Sequence, residues 1–165
     1  MAGLTPFQTV GPYLHLGLRA GLGPVTSSDA ATAIVIRGRL VDGAGVGIGD
    51  GVLEFWAAGF DGVGRACTAA DGSYRLDAVL PITRVDADGR VHAPHFAVRV
   101  LARGVLTEYL TRVYFAGQLD NDRDPVLQAV PAHRRGTLVA APAAPSEFRF
   151  DVIVQGEGET VFFDM

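Results

Sequence analysis

The sequence predicts an all-β protein: an antiparallel β-sandwich with an extended N-terminal arm and one or two short helices. Three observations carry this. Apolar residues fall in short runs rather than long periodic stretches, which suits strands better than helices. Asp-Gly pairs at 42–43, 50–51, 61–62, 71–72 and 88–89 punctuate those runs, and glycine accepts the positive φ of a tight turn without penalty. Of the 165 residues, 48% are apolar, 19% are charged and 21 are glycine, a balance that favours a glycine-punctuated sheet and opposes general disorder. The length fits one domain over residues 1–165 with a sizeable core.

Residues 1–28 read as the arm. T-P-F-Q-T-V-G-P-Y (5–13) holds two prolines and a glycine, which oppose a regular helix. Leu14, Leu16 and Leu18 alternate with His15 and Gly17, so one side of an extended arm can lie on an apolar surface. Residues 20–31 are rich in Gly, Ser and Asp and read as loop. Strands are expected at 33–41 (A-I-V-I-R-G-R-L-V) and 52–57 (V-L-E-F-W-A). In the second, Leu53, Phe55 and Ala57 share one face, while Val52, Glu54 and Trp56 share the other. Further strands are expected at 66–69, 73–76, 95–102, 110–115, 148–154 and 160–163. The helix candidate is 124–140, interrupted by Pro131 and Gly136.

A formal charge of −4 offers no basic stripe for nucleic acid or an anionic membrane. The lone Cys67 excludes an internal disulfide framework and a cysteine-based zinc site, and a cytoplasmic location is expected. No apolar run approaches the roughly 18 residues of a membrane span, and no signal-peptide pattern occupies residues 1–20.

The stretch 81–103, P-I-T-R-V-D-A-D-G-R-V-H-A-P-H-F-A-V-R-V-L-A-R, raises the question of a metal, because it holds two histidines beside arginines. Ligands cooperating from one strand should be an even number of residues apart. His92 and His95 are three apart with Pro94 between them, no carboxylate stands at facial-triad spacing, and no tyrosine lies between 75 and 108. His95 is therefore expected to be a hydrogen-bonded structural histidine at the start of a strand. There is no G-x-S-x-G elbow and no phosphate-binding glycine loop, and Cys67 reads as a small hydrophobe. Arg99, Arg103 and Arg112 lie on apolar strands or at their ends, where an arginine usually faces solvent and, at an interface or pocket, holds a carboxylate bidentately. Arg134 and Arg135 read as a solvated helix face.

Five collinear stretches carry a resemblance: T-P-F-Q-T-V-G-P-Y-L-H-L-G-L (5–18), V-L-E-F-W (52–56), G-V-G-R-A-C-T-A-A-D-G-S-Y (62–74), A-P-H-F (93–96) and F-R-F-D-V-I-V-Q-G-E-G-E-T-V-F-F-D (148–164). On these the chain is identified as a member of the intradiol aromatic-ring dioxygenases, and it most resembles the alpha subunits of the protocatechuate-cleaving branch. In that family the beta subunit holds a non-haem Fe(III) with two tyrosines and two histidines, the latter from R-P-A-H-I-H-F. The matching stretch here is R-V-H-A-P-H-F (90–96). Arg90 and His95 fill the pattern's arginine and second histidine, and Ala93 replaces the first histidine. The tyrosine ligands would fall between Trp56 and Gly64 and just after Pro81, where A-A-G-F-D-G-V and I-T-R-V hold none.

The resemblance thus implies no metal and no catalytic residue in this chain, which by itself would be inactive. It implies Fe(III) in a partner beta subunit, a larger oligomer of alpha–beta pairs, and a small aromatic acid substrate opened with O2 to 3-carboxy-cis,cis-muconate. Residues 1–28 would pack on the partner. Thr9, Pro12, Tyr13 and Arg103 would stand on the wall of a pocket between the subunits. Two other readings remain open: a transthyretin-like binding or transport sandwich, and a self-sufficient intradiol enzyme using other ligands such as Tyr109 or Tyr114. The loop after Trp56 and the segment 20–31 are both shorter than the family leads one to expect.

Overall fold

Strand β1 (Ala33–Val41) anchors one layer of the fold, with β4 (Ser73–Val79) antiparallel to it and the C-terminal β10 (Glu147–Arg149) and β11 (Val152–Ile153) parallel to it. The second layer comprises β2 (Val52–Trp56), β3 (Gly64–Cys67), β7 (His95–Leu101) and β8 (Tyr109–Phe115), paired antiparallel. Strand β9 (Val139–Ala144) joins the layers, bonding β10 with one half and β8 with the other. A separate hairpin consists of β5 (Arg84–Val85) and β6 (Val91–His92). The computed structural model describes residues 5–18, 32–58 and 62–164. The loop expected at 20–31 and residues 59–61 of the loop after Trp56 lie outside these.

Strand alternation builds the core. Ile34 and Ile36 of β1, Leu76 of β4, Leu53 and Phe55 of β2, and Phe96, Val98 and Val100 of β7 all turn into one cluster. Phe55 and Phe96 meet edge to face, 6.0 Å between ring centres and 90° between planes, the arrangement ring quadrupoles favour. Gly38 is required where β1 meets the C-terminal segment: a Cβ there would sit 1.7 Å from the Phe150 carbonyl oxygen. On the opposite face of β2, buried Glu54 stands directly across from Arg65 and Arg99. It accepts from Arg65 at 2.6 Å and lies 3.5 Å from Arg99, whose guanidinium covers the Trp56 ring. That compensates a carboxylate which burial alone would make costly.

The all-β expectation holds, and the strands expected at 33–41, 52–57, 95–102 and 110–115 fall where the apolar runs place them to within a residue, whereas the one expected at 66–69 lies two residues earlier, at Gly64–Cys67. The pairing is mixed rather than wholly antiparallel, since β1–β10, β1–β11 and β8–β9 are parallel. The strand expected at 148–154 is divided. Phe150 turns into the core, its amide donates to Arg37 and its carbonyl accepts the Tyr74 hydroxyl. Residues 160–163 form no strand and make isolated bonds, Thr160 to Ile153 and Phe163 to Leu110. The helix expected at 124–140 divides at Pro131 into α2 (Pro125–Ala129) and α3 (Ala132–Arg135), and its end becomes β9. Residues 14–18, expected to be extended, form a helical turn, α1 (Leu14–Leu18), opened by a turn at Pro12 and Tyr13. Among the described residues no helix is long and apolar enough to cross a membrane.

Candidate functional site

One region is where the arm meets the end of β7. The turn after β7 closes with the Val105 amide on the Ala102 carbonyl, and Gly104 adopts φ +92°, a conformation that side chains with a Cβ resist. The Gly104 amide donates to Thr9 Oγ1 at 2.9 Å, and the Thr9 hydroxyl lies 3.4 Å from the Ala102 carbonyl oxygen. Thr9 therefore fastens the arm beside Arg103. Farther along, the His15 carbonyl lies 3.7 Å from Cys67 Sγ. Because Val52 is opposite both Leu101 and Cys67, the arm crosses the ends of β7, β2 and β3. Arg103 Nε pairs with Asp50 at 3.0 Å while the side chain stays largely exposed. Pro12 is exposed, as are Phe7, Tyr13 and Leu16. Thr9 and Arg103 are thus brought together, and Pro12 and Tyr13 continue the same segment.

The second region is the one that raised the metal question. The Asp88-Gly89 turn closes the β5–β6 hairpin, with Asp86 Oδ1 accepting the amides of Asp88 and Arg90 at 2.9 Å. A cavity of about 230 Å³ lies between this hairpin and strands β7 and β8, lined by Ala58, Arg84, Val85, Asp86, His92, His95 and Arg112. Strand parity separates His92 from His95, but the break at Ala93 and Pro94 lets their rings approach to 6.4 Å.

One nitrogen of each ring is committed elsewhere. His92 Nε2 lies 3.2 Å from Asp86 Oδ2. His95 Nδ1 lies 2.7 Å from the Ala93 carbonyl, which can only accept, so Nδ1 carries the proton. Burial holds the His95 imidazole below its usual pKa, against the opposing effect of that carbonyl, and nearby Arg112 adds to the lowering. His95 thus stands at the start of β7 with its Nδ1 hydrogen-bonded to the backbone.

Behind the histidines lies Asp124, fully buried at the N-terminus of α2. It accepts from the amides of Val126, Leu127 and Ala93 and from the Tyr114 hydroxyl, at 2.9 to 3.0 Å. Burial pushes the Tyr114 phenol far above its ordinary pKa, and Arg112 Nη1 donates to its oxygen at 3.3 Å. The sequence signal for Asp124 was its place before Pro125, an N-cap residue followed by proline at the first helical position.

These residues do not fit Fe(III). Ala93 contributes a buried methyl, Arg84 stands in the segment after Pro81 where the resemblance would need a tyrosine, and two arginines line the cavity. Among the described residues, no three His, Cys, Asp or Glu side chains are placed to hold a metal ion. Arg90 does not line the cavity and forms ion pairs with Asp88 and Asp86. Tyr114 has its hydroxyl committed to Asp124, and Tyr109, near the other end of β8, stacks on Phe162 at 4.6 Å. Arg134 and Arg135 are not a plain solvated face: Arg135 binds the Val130 and Gln128 carbonyls at the end of α2, and Arg134 binds that of Glu159.

Against curated proteins, the chain is 38% identical to the protocatechuate 3,4-dioxygenase alpha chain of Burkholderia cepacia, covering 98% of this chain and 97% of that one. It is 34% identical to the alpha chain of the same name from Pseudomonas putida, covering 97% and 96%. The chain belongs to the protocatechuate 3,4-dioxygenase alpha-chain family. That membership sets aside the transthyretin-like reading. The first alignment spans 195 positions against 165 residues here, so that alpha chain carries insertions this one lacks. Among solved structures, hydroxyquinol 1,2-dioxygenase from Pseudomonas putida DLL-E4 superposes with a TM-score of 0.64 at 15% identity, over 80% of this chain and 59% of that one. The dioxygenase domain of a carbohydrate-binding fusion from Streptomyces sp. SirexAA-E gives 0.62 at 21%, over 81% and 86%. These two likenesses concern the fold alone. No protein-family model matches the chain.

Proposed function

We propose that this chain is the iron-free alpha subunit of a protocatechuate 3,4-dioxygenase. It would complete the substrate pocket of a beta partner whose Fe(III) supports opening of protocatechuate by O2 to 3-carboxy-cis,cis-muconate. The observation that carries this reading is the Thr9–Gly104 bond, which fixes the arm beside Arg103 at the surface. In the assembly, Arg103 supplies positive charge for the substrate carboxylate, and Thr9, Pro12 and Tyr13 form the adjoining wall. The exposed apolar side chains of the arm, Phe7, Tyr13 and Leu16, are suited to burial against the partner within an oligomer of alpha–beta pairs. The bound iron supplies the oxidative chemistry in the partner, and this chain contributes orientation, which can be worth several kcal/mol of barrier when geometry is right. The single cysteine fits a cytoplasmic enzyme.

Metal analysis of the purified full chain, with its visible spectrum, tests the reading. The expected result is no stoichiometric iron and no tyrosinate charge-transfer band, with oxygen uptake appearing only on addition of the beta subunit. Stoichiometric Fe(III) with that colour in this chain alone would overturn it.

A further inference from the structure

We propose that the cavity between the β5–β6 hairpin and strands β7 and β8 is a binding site of this chain for a small aromatic carboxylate, gripped by Arg84 and Arg112. This goes beyond the pocket-wall role, because it concerns a different part of the molecule and needs no partner subunit.

The argument starts from unspent charge. A larger, shallower concavity of about 680 Å³ beside β3 and β4 is lined by Arg37, Arg65 and Arg75, and each of these pairs with a carboxylate: Glu147, Glu54 and Asp77. Arg84 and Arg112 both line the hairpin cavity, and neither pairs with a carboxylate among the described residues. Arg112 commits one Nη1 donor to Tyr114, leaving most of its five N–H groups available.

The two nearby carboxylates do not cancel them. Asp86 has its oxygens occupied by the amides of Asp88 and Arg90 and by His92, with the Arg90 guanidinium 3.8 Å away. Asp124 lies under His92 with no exposed surface, and four donors saturate it. A guanidinium left without an anion at a concave site is a ready partner for a planar carboxylate.

The remaining walls describe the rest of the ligand. Ala58 and Val85 are apolar, and the imidazole rings of His92 and His95 complete the lining. At about 230 Å³ the space falls below the roughly 300–1,000 Å³ typical of drug-sized ligands and suits a single ring. His95 gives its Nδ1 proton to Ala93, so Nε2 is left as an acceptor for a ring hydroxyl. A hydroxylated benzoate therefore satisfies more of the site than benzoate does.

Titration calorimetry of the full chain with benzoate, 4-hydroxybenzoate and the neutral benzyl alcohol tests this. Histidine imidazole NMR signals provide a second reading. The expected result is saturable one-to-one binding of both acids, the hydroxylated one tighter, with shifts at His92 and His95 and no binding of benzyl alcohol. Arg84→Ala, on an exposed hairpin strand, should weaken binding about tenfold or more, as should Arg112→Ala if it folds. Arg75→Ala, which removes a paired arginine elsewhere, should leave binding unchanged. The proposal is overturned by no saturable binding at millimolar acid, by benzyl alcohol binding as tightly, or by Arg84→Ala binding as well as the parent. None of these outcomes depends on iron or turnover, so the pocket-wall reading stands or falls separately.

Discussion

The amide of Ala93 donates to Asp124 Oδ2 at 3.0 Å, so the loop between β6 and β7 is fastened to the start of α2 by a carboxylate. Asp124→Ala would strand four donors, three of them amides. Because buried donors without partners cost about 1–3 kcal/mol each and structure relaxes around some of them, a loss of about 3–5 kcal/mol is expected. Tyr114→Phe removes one donor to the same carboxylate and should cost about 1 kcal/mol. Urea unfolding midpoints at neutral pH measure both, and an Asp124→Ala variant as stable as the parent would contradict this role.

Thr9 joins the arm to the turn through its hydroxyl oxygen. Thr9→Ser keeps the acceptor for Gly104 and should behave as the parent in the reconstituted complex, whereas Thr9→Ala should raise KM with a smaller effect on kcat. If Thr9→Ser is as impaired as Thr9→Ala, the methyl group rather than the bond is what matters.

Arg103 shares its charge with Asp50 at 3.0 Å. Arg103→Ala should raise KM for protocatechuate more than for uncharged catechol, and Asp50→Asn, which frees the guanidinium, should shift KM for protocatechuate the other way. Steady-state oxygen uptake on both substrates decides; equal effects on the two would remove the carboxylate role.

Two buried phenols set the alkaline limit. Burial raises Tyr74 and Tyr114 well above the ordinary tyrosine pKa. Below about pH 10 both are protonated in the folded and unfolded states alike, so their contribution is fully present. Above it the unfolded chain releases its protons first, and stability falls by about 1.4 kcal/mol per pH unit for each tyrosine. Denaturant midpoints between pH 9 and 11.5 (roughly the reach of the method) should decline, and Tyr74→Phe should flatten that decline while weakening the fold at neutral pH through the lost bond to Phe150.

Strands whose identity rests on local pattern were legible: A-I-V-I-R-G-R-L-V and H-F-A-V-R-V-L announce themselves by branched residues and alternation. Residues 139–144, V-A-A-P-A-A, carry little strand preference and contain a proline, and they become β9 because β8 and β10 flank them. Conversely T-V-F-F at 160–163 has strong strand preference but no ladder to join. The leucines of residues 14–18 suit either an alternating strand or a single helical turn, and the bonds to Gly11 and Tyr13 carbonyls select the turn. In the site, Thr9 and Arg103 came from motif resemblance. Arg112 and Tyr114, two apart on β8, share a strand face by local spacing, but Arg84 and Asp124 come to them only through tertiary packing, which no local spacing reveals.

The parallel seating of β10 and β11 on β1 has a consequence for biosynthesis. Arg39 bonds to Asp151 across 112 residues, so one flank of an early, apolar strand is covered only by β10 and β11, which leave the ribosome well after it. Until then the I-V-I run has an open hydrogen-bonding edge that other chains can occupy. Long-range pairing of this kind folds slowly. Nascent chains interrupted before residue 147 would therefore expose a sticky strand, giving chaperones a defined segment to shield while translation finishes.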